Sequence, residues 1–301
     1  MTTERLAETN TVSRLIEDLA QRLTSGGVAE PFSVAREIVS ALYDVPRFWP
    51  SMNGDVGVDA AMLSRARGAA DMRIRGAPLA YAVGRASFRH LTLDVDERVL
   101  IPRPETEELV DLVLRETTGV DGGVAIDVGT GSGAIAISLA VEGRFARVYG
   151  TDISLDALAV ARRNVEASSS LLRAPVELLH GSLLAPLRGV RARVVVSNPP
   201  YIALGEAASL PGGVRDWEPA VALFSGADGM TAITRLVREA ADALAPDGLF
   251  ALEVDARRAS LVTELVSREQ RFHAIRVELD LTGRERFVLA RRQETDGDDR
   301  G

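Results

Sequence analysis

Apolar residues recur at helical spacing over roughly the first 76 residues of the chain. The stretches VSRLIEDLAQRL and FSVAREIVSALYDV both repeat this pattern, and no strand-like alternation interrupts them. We therefore predict a small helical domain over residues 1–76. In its first helix, the apolar face would carry Val12, Leu15, Ile16, Leu19 and Leu23.

A different pattern follows, in which apolar and polar residues alternate. In PLAYAVGRASFRHLTLDVDERVL, Phe88 and Leu91 belong to such an alternation, which is typical of strands with one buried face. We predict a β-hairpin linker over residues 77–100. Pro102 and Pro104 mark its end, and the acidic turn after Pro104 is typical of the start of a helix.

From about residue 120, short β-branched runs alternate with helical stretches. GVAIDVG, ARVYGTDIS, APVELLHG and ARVVVSNPP are the strand-like runs, and such alternation indicates a parallel sheet covered on both faces. The last two runs, FHAIRVELDL and RERFVLARR, are joined by a tight TGR link and should be antiparallel. The sequence thus predicts an α/β domain over residues 101–292. The polar, acidic tail, 293–301, is expected to be disordered.

Composition and charge narrow the functional classes. With 301 residues, 46% of them hydrophobic, the chain is long enough for two domains with sizeable cores. It has no cysteine and only three histidines, so we expect no disulfide, no thiolate nucleophile and no bound metal.

Charge and hydropathy also bear on partners and location. The chain contains neither a signal-type segment nor a run of about 18 apolar residues, which predicts a cytoplasmic protein without a membrane partner. A net charge of −8 argues against a broad electrostatic grip on nucleic acid. The arginine-rich stretch from Arg65 to Arg89 is either a solvated face or a surface for an RNA-rich or acidic partner.

A glycine-rich loop lies between a predicted strand and a predicted helix. At this place a ligand can lie against bare backbone, and Asp152, at the end of the next strand, can accept both hydroxyls of a ribose. A dinucleotide and S-adenosylmethionine both fit this pattern, and Ala134 even satisfies a dinucleotide-type fingerprint. The loop consists of Gly129, Thr130, Gly131, Ser132 and Gly133.

The fourth strand of the α/β region runs directly into Asn198-Pro199-Pro200-Tyr201. An amide or aryl-amine nitrogen is a poor nucleophile, and two fixed oxygen acceptors can hold its hydrogens and orient its lone pair. Asn198 and the Pro199 carbonyl can supply these oxygens, while Tyr201 offers a flat stacking face. Hydride transfer has no use for such a clamp. The motif therefore favours methylation of a planar NH2 group and leaves the dinucleotide as a minor alternative.

Five motifs together resemble the bacterial peptide chain release factor N5-glutamine methyltransferase family, in order from about residue 78 to residue 292. They are VLIPRPETEELVD, DVGTGSGAIA, GTDIS, SNPPYI and EPAVALFSGADG. The resemblance implies a class I S-adenosylmethionine-dependent methyltransferase fold. This fold is Rossmann-like, with a mostly parallel seven-stranded sheet, a C-terminal antiparallel strand and a small all-α N-terminal domain. The resemblance further implies that the enzyme methylates the side-chain amide (N5) of the glutamine in the Gly-Gly-Gln loop of release factors, with S-adenosylhomocysteine as product.

The same resemblance assigns roles to individual residues. Gly129 to Gly133 would cradle the methionine part of the cofactor, Asp152 would hold its ribose, and Leu183 would lie near its adenine. Asn198 to Tyr201 would hold the substrate glutamine, with Asn198, Pro199 and Tyr201 catalytic, Pro200 substrate-binding, and Asn198 also beside the cofactor. Because every chemical motif lies after about residue 100, we expect the helical domain to recognise the release factor.

The sequence departs from the family pattern at three positions. Ser182 stands where the family usually has aspartate, Leu183 where it often has a bulkier residue, and Asp255 where it tends to have glycine.

Three other functions remain open at this stage. The same clamp could methylate an exocyclic amino group of an unpaired nucleic-acid base, against which the acidic charge argues. A relative that methylates a ribosomal-protein glutamine shares Asn-Pro-Pro-Tyr but lacks the PRPETE form of the linker. A non-catalytic cofactor-binding scaffold is disfavoured by the intact Asn198 and Tyr201.

Overall fold

The computed structural model describes residues 10–294 and divides the chain into two compact units. The first contains the chain up to Arg85 together with the short segment Pro211–Trp217, and the second contains the remainder. The boundary lies later than the predicted one at residue 76. The segment 211–217 was not foreseen, because PGGVRDW shows no hydrophobic periodicity that would attach it to a helical core.

Helices and strands occur in the following order. The helices are α1 (Val12–Ser25), α2 (Pro31–Tyr43), α3 (Trp49–Met52), α4 (Ala60–Ile74), α5 (Leu79–Val83), α6 (Pro104–Glu116), α7 (Ala134–Glu142), α8 (Leu155–Ala167), α9 (Gly212–Arg215), α10 (Ala220–Leu223), α11 (Thr231–Ala243) and α12 (Ala259–Arg268). The strands are β1 (Arg85–Phe88), β2 (Leu91–Asp94), β3 (Val124–Val128), β4 (Arg147–Asp152), β5 (Val176–His180), β6 (Ala192–Ser197), β7 (Leu244–Glu253), β8 (Phe272–Leu279) and β9 (Glu285–Arg292).

In the first unit, α1, α2 and α4 enclose an apolar core. The periodicity of the sequence predicted this for α1 and α2. Side-chain caps fix where two of these helices begin. Thr11 accepts a hydrogen bond from the Arg14 amide, and Asp59 accepts one of 2.7 Å from the Met62 amide. The residues at the centre of the core are Leu15, Leu19, Leu23, Ile38, Val39, Ala66 and Ala70.

The segment predicted as a hairpin over residues 77–100 contains a helix before its strands. Leu79–Val83 form α5, whose Val83 is buried in the core of the first unit, and burial on that core overrides the strand-like alternation. The paired strands are β1 and β2 alone, with Phe88 and Leu91 buried. The hairpin is therefore shorter than the sequence suggested.

The second unit is built on a seven-stranded sheet with the order β5-β4-β3-β6-β7-β9-β8. The pairs from β5 to β7 are all parallel, and β9 runs antiparallel to both β7 and β8. Alternate residues of β6 pack on opposite faces, with Val194 and Val196 in one apolar cluster and Val195 in the other. Helices α6 and α7 cover the first face, and α11 and α12 cover the second. The predicted fold is confirmed.

Arginines of the basic stretch are partly neutralised. Arg67 pairs with Asp18 at 2.9 Å, and Arg89 makes a bidentate pair with Glu142 at 2.7 Å.

At the other end of the chain, residues 295–301 of the predicted acidic tail lie outside the described residues. Among the described residues no helix combines the length and the apolar character needed to cross a membrane.

Candidate functional site

The candidate site lies where the strand order reverses. The chain runs from β3 outward to β4 and β5, then returns to place β6 on the other side of β3. In open parallel sheets, a crevice forms at such a switch point, beyond the carboxyl ends of the strands. Ser197 joins the two strand ends here, because its hydroxyl donates a 2.6 Å hydrogen bond to the Val128 carbonyl.

The glycine loop follows β3 and opens α7. Gly129 and Gly133 have φ angles of +75° and +85°, which residues with a Cβ adopt only with strain. A Cβ built at Gly129 meets no described atom within 4 Å, so free space borders the loop at this residue. The Gly129 and Thr130 amides both donate to the Thr151 carbonyl, at 2.8 and 2.9 Å, which fixes the loop against the end of β4.

Asp127 supports this loop from below and was not singled out from the sequence. The residue is fully buried, and its Oδ2 accepts hydrogen bonds from the Thr130 hydroxyl at 2.6 Å and from the Ala136 amide at 3.1 Å. Burial raises the pKa of the Asp127 carboxyl to about 7, although both hydrogen bonds act in the opposite direction. The available signal was a single acid inside the otherwise apolar strand VAIDV.

The raised pKa of Asp127 predicts a pH-dependent stability. Between the ordinary pKa of 3.8 and the folded value of about 7, the folded state holds the proton more often than the unfolded state. The stabilisation that this bound proton gives the folded state is therefore complete below the ordinary pKa of 3.8, and it is lost as the pH rises through the folded pKa of about 7. Relative to Asp127→Asn, the wild-type free energy of unfolding should fall by about 1.5 kcal/mol between about pH 5.5 and about pH 7.

Urea denaturation of the wild type and of Asp127→Asn at a series of pH values measures this difference. The asparagine keeps an acceptor for Thr130 and Ala136, so comparing the two proteins cancels the titration of all other groups. Parallel stability curves for the two proteins would contradict the prediction.

Asp152, the last residue of β4, is held by backbone donors on both sides. The Gly131 amide donates to Oδ2 and the Ser154 amide to Oδ1, each at 2.9 Å. Burial raises the pKa of the Asp152 carboxyl, and these backbone hydrogen bonds lower it. Each carboxylate oxygen has a further lone pair, so the group can accept two vicinal hydroxyls without losing its own anchors.

A cavity of about 330 Å3 joins the glycine loop, Asp152 and the Asn-Pro-Pro-Tyr segment. Its size and mainly apolar lining suit a small organic ligand with a few fixed polar contacts. The predicted residues that line it are Gly129, Gly131, Asp152, Leu183, Asn198 and Pro200. A second cavity, of about 380 Å3, lies beside α11 and is lined by none of the predicted site residues.

The other predicted residues lie behind or beside the lining of this cavity. The Thr130 side chain turns to Asp127, and Ser132 is buried, with its carbonyl accepting a 2.8 Å hydrogen bond from Asn164. Gly133 packs near Ile137, where an added Cβ would approach to 3.2 Å. These three residues shape the loop without lining the cavity.

Part of the lining comes from segments that the sequence did not assign. Leu100, before the first turn of α6, and Phe224 and Ser225, after α10, contribute to it. Ser182 and Leu183, two of the departures from the family pattern, also line the cavity, and Leu183 has a φ of +53°. Nothing in the structure explains why Asp255 replaces glycine; its carboxylate accepts hydrogen bonds from Arg257.

The Asn-Pro-Pro-Tyr segment leaves β6 at the cavity edge. Asn198 is half-buried and its Nδ2 donates a 3.0 Å hydrogen bond to the Thr106 hydroxyl, while Pro199 is buried. Two backbone hydrogen bonds of 3.0 Å anchor the following residue: the Ile202 amide donates to Leu223, and the Ser225 amide donates to Ile202. The segment is therefore fixed at both ends.

Tyr201 precedes the anchored residue Ile202. Its side chain is partly buried against the apolar cluster that contains residues of α11. Burial raises the pKa of its phenol to about 12, and the nearby charge of Glu253 acts in the same direction. The ring therefore stays neutral near physiological pH. Tyr201 does not belong to the cavity lining, so its predicted stacking on a substrate stays a prediction.

Comparison with known proteins identifies the type of domain and its fold. The model of the methyltransferase small domain matches residues 106–209. The catalytic domain of hMettl16, solved in complex with MAT2A 3′UTR hairpin 1, has a TM-score of 0.57 at 16% identity, covering 87% of this chain and 92% of that chain. At such low identity the likeness shows the fold alone, which is that of a class I methyltransferase.

Curated sequences are much closer. The release factor glutamine methyltransferase of Moorella thermoacetica is 38% identical over 286 residues, which cover 94% of this chain and 99% of that protein. The enzyme of the same name from Deinococcus radiodurans is 39% identical over 281 residues, covering 92% of this chain and 97% of that protein. The chain belongs to the release factor glutamine methyltransferase family.

Proposed function

We propose that this protein transfers a methyl group from S-adenosylmethionine to the side-chain amide nitrogen of the glutamine in the Gly-Gly-Gln loop of peptide chain release factors. The observation that carries the proposal is that Asn198 lines the same cavity as Asp152 and the glycine loop. The names of the relatives from Moorella and Deinococcus support the substrate. Because release factors act in translation, the protein would work in the cytoplasm.

The residues around the cavity fit the cofactor. Asp152 has free lone pairs for the two ribose hydroxyls, and the open side of Gly129 leaves room for a ligand against bare backbone. Leu183 and Phe224 supply apolar surface for a flat base. S-adenosylmethionine would supply an electrophilic methyl group bonded to a positively charged sulfur.

The remaining chemistry concerns the orientation of the substrate amide. An amide nitrogen is weakly nucleophilic because its lone pair is delocalised into the carbonyl. In our proposal the Asn198 Oδ1 and the Pro199 carbonyl accept its two hydrogens, which aligns the nitrogen with the methyl group. Methylation replaces one of these hydrogens, so one proton leaves for solvent. Asn198 acts by alignment, because an amide side chain is no base near neutral pH.

A labelled-methyl transfer assay tests the proposed function. Purified release factors, structured RNA and DNA would be offered separately to the protein, and peptide mass spectrometry would locate the methyl group. We expect methylation of the release factor at the Gly-Gly-Gln glutamine, and none when that glutamine is replaced by alanine. Label in RNA or DNA with none in the release factor would overturn the proposal in favour of base methylation.

We further propose that the helical unit recognises the release factor. Phe48 and Met52 lie four residues apart around α3 and are 64% and 75% exposed. Replacing both with serine should lower kcat/KM for the intact release factor about 5- to 10-fold, since anchor residues of interfaces typically contribute more than 1 kcal/mol. The rate on a short Gly-Gly-Gln peptide should not change.

Steady-state methylation of the two substrates measures this difference. Leu171→Ser, which changes an apolar residue that is 52% exposed in the second unit, is the matched control. If the double variant methylates the intact factor as fast as the wild type does, this surface takes no part in recognition.

A further inference from the structure

A chain of two hydrogen bonds connects Asn198 to a buried acid. Asn198 Nδ2 donates to the Thr106 Oγ1 at 3.0 Å, and Thr106 Oγ1 donates to the Glu253 Oε2 at 2.7 Å. Thr106 is 5% exposed and Glu253 is 2% exposed. The three residues are far apart in the sequence and lie on different elements: Asn198 follows β6, Thr106 is in the first turn of α6, and Glu253 ends β7.

The sheet explains why these groups meet. In the parallel pairing of β6 with β7, Ser197 is the register partner of Leu252. Asn198, just after β6, and Glu253, the last residue of β7, are the next residues along the two segments. Thr106 belongs to the PRPETE motif, residues 102–107, which runs into the first turn of α6, and α6 packs on the same sheet. That segment thereby places a hydroxyl between the amide and the carboxylate.

The hydrogen-bonding capacity of each group fixes the direction of the chain. A carboxylate only accepts, so the single hydroxyl hydrogen of Thr106 goes to Glu253. The Thr106 oxygen then has only lone pairs to offer, and it can pair with the NH2 arm of Asn198 but not with the oxygen arm. Because the two arms of an amide point apart, this arrangement leaves Oδ1 as the arm available to the cavity that Asn198 lines.

We propose that Thr106 and Glu253 are positioning residues, which hold the Asn198 amide in the one orientation that presents an acceptor oxygen to the substrate glutamine. The inference rests on the proposed function and adds two residues to it. Without the Thr106 hydroxyl the Asn198 amide would be free to turn, and its NH2 arm would then face the substrate NH2, donor against donor.

The negative charge on Glu253 keeps the Thr106 hydroxyl donating to the carboxylate. Burial raises the pKa of the Glu253 carboxyl to about 7, with Glu105 acting in the same direction and Thr106, Arg286 and Arg103 in the opposite one. Arg286 also pairs with Asp280 at 3.2 Å. Tyr201 lies close to Glu253. Experiments at about pH 8.5 keep the carboxylate charged.

Three variants test the role of the two hydrogen bonds that connect Asn198, Thr106 and Glu253. Thr106→Val removes the hydroxyl at nearly constant volume, Thr106→Ser retains it, and Glu253→Gln replaces the obligate acceptor by a group that both donates and accepts. We expect Thr106→Val and Glu253→Gln to lower kcat for release-factor methylation by about 10-fold, the scale of partial misalignment. Thr106→Ser should stay within about threefold of the wild type, and cofactor affinity should change less than about twofold in all three.

Thr117→Val is the matched control. Thr117 lies at the other end of α6, and its buried hydroxyl donates to the Val113 carbonyl within the helix. The control therefore removes a buried threonine hydroxyl at the C-terminal end of the same helix, and it leaves the hydrogen bonds to Asn198 and Glu253 intact. Its kcat should match that of the wild type.

A readout independent of activity follows from the scarcity of asparagine. Asparagine occurs at four positions only, Asn10, Asn53, Asn164 and Asn198, so selective ¹⁵N labelling gives four side-chain amide signals. We expect hydrogen exchange of the Asn198 NH2 to be slow in the wild type and Thr106→Ser, and faster in Thr106→Val. The Asn164 signal should not change, because its partners are backbone carbonyls elsewhere.

The results of these experiments separate a failure of the positioning role from a failure of the proposed function. Unchanged kcat in Thr106→Val, equal losses in Thr106→Ser and Thr106→Val, or an Asn198 signal insensitive to Thr106 would each overturn the positioning role. A wild-type protein that methylates no release factor would instead defeat the proposed function, and the exchange of the Asn198 amide would still decide whether the chain orients it.

Discussion

Asn198→Ala is expected to lower the turnover of methyl transfer to a release factor by about 10² or more. This is the scale seen when a reacting group loses its alignment, and no other described side chain stands in the same place at the end of β6. Affinity for S-adenosylmethionine should fall much less, because Asp152 and the glycine loop remain. Single-turnover methyl transfer, measured alongside calorimetric titration of the cofactor, separates the two effects.

Asn198→Asp and Asn10→Ala complete this experiment. The aspartate keeps an acceptor oxygen toward the cavity, but its second oxygen would face the Thr106 oxygen, whose hydrogen is already donated to Glu253. Its activity should therefore lie between those of Asn198→Ala and the wild type. Asn10, which is exposed and precedes α1, is far in sequence from every proposed site residue and from Phe48 and Met52, so it serves as the neutral control. If Asn198→Ala retains turnover within about threefold of the wild type, the clamp is not the active site.

Asp152→Ala is expected to weaken the binding of S-adenosylmethionine by about 1.5–3 kcal/mol, the usual contribution of hydrogen bonds to a charged group. This corresponds to a roughly 10- to 150-fold increase in Kd. The variant also removes the acceptor of the Gly131 and Ser154 amides, which shape the loop on either side. Calorimetric titration gives Kd for each variant.

Two further variants separate the ribose contact from loop support. Asp152→Asn keeps an acceptor oxygen but loses the charge, so it should bind the cofactor with intermediate affinity. Asp156→Ala removes an exposed acid in the first turn of α8, close in the sequence, and should leave Kd unchanged. An Asp152→Ala protein that binds as tightly as the wild type would exclude Asp152 from the site.

Local patterns were sufficient to predict much of the molecule. The parallel strands, the loop at Gly129 and the position of Asn198 follow from β-branched runs and from glycine and proline placement within about ten residues. These features are encoded by neighbouring residues. The mostly parallel seven-stranded sheet and its C-terminal antiparallel strand were predicted correctly, and the family resemblance was confirmed.

Other features depend on long-range packing and could not be deduced from such patterns. Thr106 and Asn198 are 92 positions apart, and Thr106 and Glu253 are 147 apart, so nothing local indicates that they share hydrogen bonds. Helix α5 forms because Val83 is buried in the core of the helical unit, which outweighs its alternating neighbours. The buried acids Asp127 and Glu253 stood out only as exceptions in apolar strands.

The assignment of Pro211–Trp217 to the helical unit has a consequence for biosynthesis. Translation delivers the residues up to Arg85 first and the Asn-Pro-Pro-Tyr segment much later, and only after that does the last piece of the helical unit emerge. The unit that begins first on the ribosome is therefore completed only after more than half of the catalytic unit has been made. An exchange of the helical unit between relatives must for the same reason carry two separate stretches of the gene, one for each of its two pieces.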